Sequence, residues 1–260
     1  MIFPFWCSIL ELVRTHFAAA GGEEIPPRKF GKAAEPHRSK PQKNPEKNIG
    51  SNHILILGEE NFLILTLRNP LIFMKVLIID NGTSYLNQLQ GLLPPETSHT
   101  TIAFSEIDKD TAENFDVAIL SGGHSFPVVG NENRLEKEID FVSNYQKPIF
   151  GICFGFELIA STFGAKLERM ERKEHGVLDI EVIEPDDIFL NTPNFSVYES
   201  HRWVVREPGE QFITLAKSKD GVEAIKHRTR PIYAVQFHPE MFIDKTCGDE
   251  IFHNFLNLIK

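Results

Sequence analysis

A cysteine stands between two glycines where a strand-like run ends and a helix-like pattern begins. The stretch is "KPIFGICFGFELIA", residues 147–160, and Gly151 and Gly155 flank Cys153. Gly-x-nucleophile-x-Gly is typical of a nucleophile elbow, a sharp strand-to-helix turn in which larger neighbours would collide with adjoining elements. The turn places the thiol at a helix N-terminus, where the dipole favours thiolate, and points the Phe154 N–H into the same space. We predict a nucleophile at Cys153; the alternative is a buried structural cysteine.

A histidine and a glutamate later in the chain supply a base and its orienting acceptor. His238 and Glu240 lie in "QFHPE", directly after the strand-like run "PIYAVQF". A cysteine nucleophile needs a base within hydrogen-bond reach, and that base needs a group to orient it. Taken alone, His-x-Glu also fits a solvated loop. Because it follows a strand in a chain with an elbow cysteine, we predict a Cys153–His238–Glu240 triad.

Two glycines at the end of another strand can provide an oxyanion hole. The stretch "LSGGHS" places Gly122 and Gly123 where their backbone N–H groups are unobstructed. Donors about 3 Å from a developing oxyanion stabilise a tetrahedral intermediate by roughly a few kcal/mol each. An ordinary glycine turn between a strand and a loop is the alternative.

The elements that must position these residues alternate between strands and helices from Met74 onward. Apolar runs of strand length, such as "KVLIID", "FDVAIL" and "KPIFGIC", are separated by helical patterns such as "NRLEKEIDFVSNY" and "FGFELIASTFG". Continuous apolar strands joined by helices predict an α/β fold. We expect a doubly wound, flavodoxin-like, mostly parallel sheet with helices on both faces, followed by a small antiparallel sheet. Ligands bind at the carboxyl ends of such strands, which is where the three motifs fall.

Composition divides the chain and excludes several classes of function. Residues 1–73 contain a stretch rich in Pro, Lys and Glu, which predicts a poorly ordered extension before a domain at 74–260. The net charge of −9 argues against a nucleic-acid surface. No uncharged apolar run of about 18 residues is present, so we expect no membrane span. Three scattered cysteines suggest a reducing, cytoplasmic setting.

The motifs "LSGGHS", "GICFGFELIA" and "AVQFHPE", in this order, resemble the triad class of glutamine amidotransferases over residues 74–260. The segments "ERKEHGVLDIEV" and "SVYESHRWVV" are most similar to the glutaminase part of GMP synthases, which belong to purine biosynthesis. The resemblance implies that Cys153 attacks the side-chain amide of glutamine. It also implies that His238 passes the thiol proton to departing ammonia and that Glu240 orients His238. Gly123 and Phe154 would supply the oxyanion-hole N–H groups.

The resemblance also places a set of residues around the substrate, with two departures from the family pattern. These residues are Gly122, Glu157, Ser200, His201 and Arg202. Glu157 stands where the family usually has glutamine; a carboxylate there can bind an α-ammonium group but repels an α-carboxylate. Arg202 stands where the GMP-synthase type usually has glycine, in a Ser-His-Gly-Asp pattern.

The resemblance implies a partner, because the chain has no Gly-Lys-Ser/Thr phosphate loop and no residues left for an ATP pyrophosphatase domain. We therefore expect a separate ATP-dependent synthetase chain, with neither a cofactor nor a metal ion. One alternative is a stand-alone γ-glutamyl hydrolase or peptidase with the same triad, which Glu157 and Arg202 favour. Another is a non-catalytic binding module that keeps the fold.

Overall fold

The computed structural model describes residues 74–108, 113–190 and 194–260. The strands of this part are β1 (Lys75–Asp80), β2 (Ser98–Ala103), β3 (Val117–Leu120), β4 (Ile149–Ile152), β5 (Leu167–Val182), β6 (Asn194–Val205), β7 (Phe212–Lys217), β8 (Val222–His227) and β9 (Ile232–Val235). The α-helices are α1 (Leu86–Gly91), α2 (Glu136–Asn144), α3 (Phe154–Thr162) and α4 (Gly248–Leu258). The predicted poorly ordered extension, residues 1–73, lies outside the described residues.

The described strands form one sheet in the order β2-β1-β3-β4-β9-β8-β7-β5-β6. The first five strands are parallel, and the remaining four pair antiparallel. The predicted α/β fold class is confirmed. The antiparallel strands, however, continue the parallel sheet, because β8 pairs with β9 and so covers what would otherwise be an open edge.

Side chains of the parallel strands pack alternately into two apolar layers. Val76 and Ile78 of β1 belong to one layer, which includes residues of α1 and α4. Leu77 and Ile79 belong to the other layer, which includes residues of α2 and α3. Burial on both faces explains why these strands read as continuous apolar runs. The longest of the four helices, α4, has 11 residues, and no described helix has the length and apolarity that a bilayer crossing requires.

Strand β5 begins earlier than the sequence pattern indicates. The alternating apolar pattern typical of a strand begins only at "GVLDIEV", residues 176–182, whereas the observed strand begins at Leu167 and includes the charged run "LERMERKEH". This run pairs with the end of β6, with an irregularity between Arg169 and Glu174. Because most side chains of this run are charged and exposed, it lacks the alternation of apolar and polar residues that indicates a strand. Pairing with the long strand β6 makes it a strand in the structure.

Candidate active site

Cys153 lies on the turn between β4 and α3 in a strained backbone conformation. Its φ is +49°, in the region that favours glycine. The flanking glycines are required by close packing: a Cβ at Gly151 would lie 2.6 Å from Ile159 Cδ1, and one at Gly155 would lie 2.5 Å from the Leu120 carbonyl oxygen. The local geometry is therefore that of a nucleophile elbow.

The base and its acceptor follow the neighbouring strand. The Cys153 N–H donates to the Val235 carbonyl at 2.9 Å, which extends the β4–β9 pairing to the elbow. Three residues after Val235, His238 is held by its own N–H, which donates to the Tyr198 carbonyl at 2.8 Å. His238 Nδ1 lies 2.9 Å from Glu240 Oε1, and both residues are buried. A carboxylate oxygen accepts from an imidazole N–H, so this contact favours the tautomer with hydrogen on Nδ1, which leaves the Nε2 lone pair for the predicted role of base.

The glycine turn after β3 contacts both of these segments. A Cβ at Gly122 would lie 2.9 Å from His238 Cε1. A Cβ at Gly123 would lie 2.6 Å from the Asn81 carbonyl oxygen and 3.2 Å from Phe154 Cγ. The three motifs therefore meet at the carboxyl ends of the adjacent strands β3, β4 and β9, which is where ligands bind in sheets of this kind.

The electrostatic environment of Cys153 opposes a free thiolate. Burial raises the pKa of the thiol well above its ordinary value, and the carboxylates of Glu157, Glu199 and Glu240 raise it further. A hydrogen bond from the Phe154 N–H lowers the pKa, but this effect is smaller. These effects oppose the helix N-terminus, which favours the thiolate, so removal of the thiol proton calls for a base, as the sequence-based hypothesis requires.

Glu157 lies beside Cys153 and is linked to it by Gln236. The Gln236 Nε2 donates to Glu157 Oε1 at 3.3 Å and lies 3.9 Å from Cys153 Sγ. Burial raises the pKa of Glu157 to about 7, against the opposing effects of His201 and Gln236. Gln236, the first residue of "QFHPE", was not predicted to take part in the site. The available signal was a glutamine on an apolar strand, since a fully buried glutamine needs polar partners.

The two faces of β6 have different surroundings: one faces Tyr85 and the other is buried. The Tyr85 ring packs edge-on against His238 at a centroid distance of 5.1 Å. Burial raises the pKa of Tyr85 to about 12, and its hydroxyl hydrogen-bonds with side chains that include Ser200. His201 is buried on the opposite face of the strand, whereas Arg202 is exposed. Ser200 is therefore linked to His238 through Tyr85, and His201 interacts electrostatically with Glu157.

A large surface cleft lies elsewhere, between the segment 106–108 and α2. Its described lining residues include Lys137, Asp140 and Tyr145, and none of them is a cysteine or a histidine. It lacks a nucleophile–base pair, so we assign it no part in the chemistry.

Comparison with known proteins decides the family. The model of the glutamine amidotransferase class-I family matches residues 77–258. The chain belongs to this family. The amidotransferase is 36% identical over 187 residues to a glutamine-hydrolyzing GMP synthase subunit of Pyrococcus abyssi, an alignment that covers 70% of this chain and 97% of the relative. It is 32% identical over 192 residues to the GMP synthase subunit of the same name from Methanothermobacter thermautotrophicus, with coverages of 71% and 98%.

Solved structures agree with this assignment of the amidotransferase. A crystal structure from Thermoplasma acidophilum, described as that of a GMP synthase subunit, superposes with a TM-score of 0.65 at 28% identity. That match covers 72% of this chain and 94% of the other. A glutamine amidotransferase from Thermotoga maritima superposes with a TM-score of 0.55 at 16% identity, covering 71% and 81%, and supports the fold alone.

Proposed function

We propose that this amidotransferase is a glutaminase subunit that hydrolyses glutamine to glutamate and ammonia and delivers the ammonia to a separate ATP-dependent synthetase chain, as in a two-chain GMP synthase. The observation that carries the proposal is the meeting of the elbow cysteine, the His238–Glu240 pair and the glycine turn at three adjacent strand ends. Further support comes from the relatives, whose whole length this chain nearly covers. The proposed domain is residues 74–260.

The first half of the reaction forms a thioester. Cys153 Sγ attacks the side-chain amide carbon of glutamine while His238 Nε2 takes the thiol proton. The negative oxygen of the tetrahedral intermediate accepts hydrogen bonds from the N–H groups of Gly123 and Phe154. The C–N bond then breaks as His238 returns the proton to nitrogen, and ammonia leaves. Glu240 stabilises the imidazolium that forms between these two transfers.

The second half releases glutamate. Water attacks the thioester carbon, and His238 takes a proton from that water, so that the C–S bond breaks and the thiol is regenerated. In the resting site, burial and the surrounding carboxylates keep the Cys153 thiol protonated by raising its pKa. Binding of a substrate ammonium group next to Glu157 would reduce this opposition, because it would neutralise the carboxylate that raises the thiol pKa most.

The substrate contacts are assigned by position around the elbow. Glu157, buried on α3 and bonded to Gln236, is suited to hold the α-ammonium group of glutamine. Gly122 lies so near the His238 ring that a Cβ there would be 2.9 Å from Cε1. Ser200 hydrogen-bonds with Tyr85, which packs against that ring. Arg202 lies exposed on the strand that carries Ser200 and is suited to a carboxylate or to the partner chain.

The test is steady-state glutamine hydrolysis by the full chain, alone and with a GMP-synthase ATP pyrophosphatase chain, ATP and nucleotide acceptor. We expect partner-dependent stimulation and complete loss of hydrolysis in Cys153→Ala. Cys247→Ser is the matched control, because Cys247 is the other described free cysteine and lies at the start of α4, outside the proposed triad. Hydrolysis that survives in Cys153→Ala would refute the proposal.

A substrate panel separates this proposal from the stand-alone γ-glutamyl hydrolase. Glu157 in place of the usual glutamine is the observation that favours the hydrolase. Cleavage of γ-glutamyl peptides that is faster than glutamine hydrolysis and indifferent to the synthetase chain would establish the hydrolase instead.

A further inference from the structure

A second cluster of buried polar side chains lies beyond the catalytic site. Glu199 and His201 come from β6 and Glu223 comes from β8, and none is more than 4% exposed. One potential ligand atom from each residue lies within 4.8 Å of the other two. The proposed glutaminase chemistry assigns no step to this cluster.

The protonation of His201 is determined by its backbone partner. His201 Nδ1 lies 2.9 Å from the Trp203 carbonyl oxygen, which can only accept, so Nδ1 carries a hydrogen. In the neutral ring Nε2 then presents a lone pair. That lone pair lies 3.2 Å from Glu199 Oε2 without a well-directed hydrogen bond. Two acceptors that face each other at this distance need a positive species between them.

Three of the four carboxylate oxygens of the cluster also lack a hydrogen-bond donor among the described residues. Apart from the approach of the Glu199 and Glu223 carboxylates to each other, no partner among the described residues reaches either oxygen of Glu199, Oε2 of Glu223 or Nε2 of His201 with hydrogen-bond geometry. A buried polar atom without a partner costs about 1–3 kcal/mol, and more when it is charged. One proton shared between the two glutamates would satisfy one oxygen of each and leave the remaining acceptors unpaired. A cation bound by all three residues would satisfy them together.

We propose that Glu199, His201 and Glu223 bind a divalent transition-metal ion such as Zn²⁺. One imidazole nitrogen and two carboxylate oxygens are a donor set that Zn²⁺ accepts, with water as a fourth ligand. At metal–ligand distances of about 2.0–2.2 Å, tetrahedral ligand atoms lie roughly 3.3–3.6 Å apart. His201 Nε2 and Glu199 Oε2, at 3.2 Å, already have about this separation. Since no two of the three ligand atoms are more than 4.8 Å apart, the remaining distances have to shorten by at most about 1.5 Å.

The residues around the cluster have the arrangement that supports metal ligands. A metal-binding histidine usually donates its other N–H to a carbonyl or carboxylate, as His201 does to Trp203. The Ser218 hydroxyl donates to Glu223 Oε1 at 2.6 Å, which orients that carboxylate and leaves Oε2 for the ion. Glu174, opposite His201 in the β5–β6 pairing and only half-buried, adds a further carboxylate beside the cluster.

The proposed ion would lie close to the catalytic cysteine without touching the substrate. The Gln236 backbone N–H donates to the Glu223 carbonyl at 2.8 Å, and its side chain reaches Cys153 and Glu157. The ion would therefore position Gln236 through β8 and would compensate the carboxylates that surround the thiol. It is a positioning site and supplies no step of the hydrolysis.

The test measures metal binding by the full chain in a Cys153→Ser background, which removes the thiol that could bind Zn²⁺ together with His238. After treatment with a chelator, Zn²⁺ is titrated by calorimetry and the bound metal is counted by elemental analysis. We expect one equivalent, with affinity lowered at least about 100-fold in Glu199→Gln and Glu223→Gln. Glu138→Gln is the matched control, because Glu138 is an equally buried glutamate outside the cluster, and it should retain full affinity.

A milder variant keeps the test decisive if the ligand variants misfold. Ser218→Ala leaves all three ligands in place and removes the hydrogen bond that orients Glu223, so we expect binding about 10-fold to 100-fold weaker. Absence of tight Zn²⁺ binding in Cys153→Ser would overturn the proposal and identify the cluster as a proton-sharing acid pair. Unchanged affinity in the folded Glu199→Gln or Ser218→Ala protein would overturn it equally. Because activity is not the readout, failure here leaves the glutaminase proposal untouched.

Discussion

Two buried histidine–glutamate pairs lie near Cys153, and both have one residue between the partners. His238–Glu240 follows β9 and closes a hydrogen bond of 2.9 Å through Nδ1. Glu199–His201 lies on β6, where Nδ1 is already bonded to a backbone carbonyl and Nε2 faces the carboxylate at 3.2 Å. The two pairs have the same residue types and the same spacing, yet they present different chemistry.

The difference shows that the partner of Nδ1, more than the sequence spacing, decides the role of a buried histidine. In the first pair the glutamate is the partner of Nδ1, so Nε2 of His238 is left for the proposed role of base to the thiol. In the second pair a backbone carbonyl is the partner of Nδ1, so Nε2 of His201 and the carboxylate of Glu199 both lack a positively charged partner. One pair is therefore suited to moving a proton and the other to holding a cation.

Replacing each histidine in turn should break the comparison most strongly. His238→Ala should lower kcat/KM for glutamine at least about 1,000-fold, because the thiol loses its base. The decrease in kcat/KM caused by His201→Gln should be at least about 10-fold smaller, since His201 contacts no reacting atom in the proposed mechanism. The measurement is steady-state glutaminase kinetics on proteins with matching circular dichroism. Equal losses in the two variants would remove the distinction between the pairs.

Removing the acceptor of the first pair should have a smaller effect than removing its base. Glu240→Gln keeps the shape of the side chain but loses the charge that stabilises the imidazolium. We therefore expect kcat to fall, but by a factor about 10-fold or more smaller than the factor in His238→Ala. Pre-steady-state release of ammonia from glutamine measures this step directly. A loss as large as that of His238→Ala would mean that Glu240 does more than orient and stabilise the ring.

Glu157, beside Cys153, should affect the binding of glutamine. Glu157→Gln replaces a charge-assisted contact with a neutral one, a difference of about 1 kcal/mol, so KM for glutamine should rise about fivefold with kcat little changed. Glutaramate, which lacks the α-ammonium group, is the control substrate, and its KM should not rise in the variant. A parallel rise for both substrates would show that Glu157 acts on packing and does not recognise the ammonium group.

The parallel half of the sheet and its site motifs follow from local sequence features. Strands β1, β3, β4 and β9 are continuous apolar runs because both their faces are buried. The elbow could be predicted because close packing around Gly151 and Gly155 and the positive φ of Cys153 leave a recognisable spacing. These signals lie within a few residues of each other along the chain.

The second cluster could not be predicted, because its members belong to separate strands that are not neighbours in the sheet. Glu199 on β6 and Glu223 on β8 approach each other only through the three-dimensional arrangement of the antiparallel strands. The thiol environment was also unpredictable: the sequence shows the helix N-terminus behind Cys153 but not the three carboxylates that surround the sulfur. The cluster and the thiol environment both depend on contacts between residues that are far apart in the sequence.

Glu138, a buried glutamate outside both pairs, allows a further test of the comparison, which measures protein stability as a function of pH. Glu138 accepts from Asn81 Nδ2 at 3.0 Å, and burial raises its pKa from 4.5 to about 8. Between these two pH values the folded protein binds more protons at this site than the unfolded chain does. The contribution of Glu138 to the free energy of unfolding therefore falls as pH rises from about 4.5 to 8.

Glu138→Gln cannot ionise, so it should not share this fall. At pH 5 the variant and the wild type should have similar free energies of unfolding, and at pH 9 the variant should be the more stable of the two. Urea denaturation at pH 5, 7 and 9, followed by circular dichroism, measures the difference. A difference that stays constant across this range would show that Glu138 is already ionised in the folded protein. In that case one hydrogen bond from Asn81 suffices to hold a buried carboxylate, and the case for a cation between Glu199 and Glu223 would rest on the geometry of His201 alone.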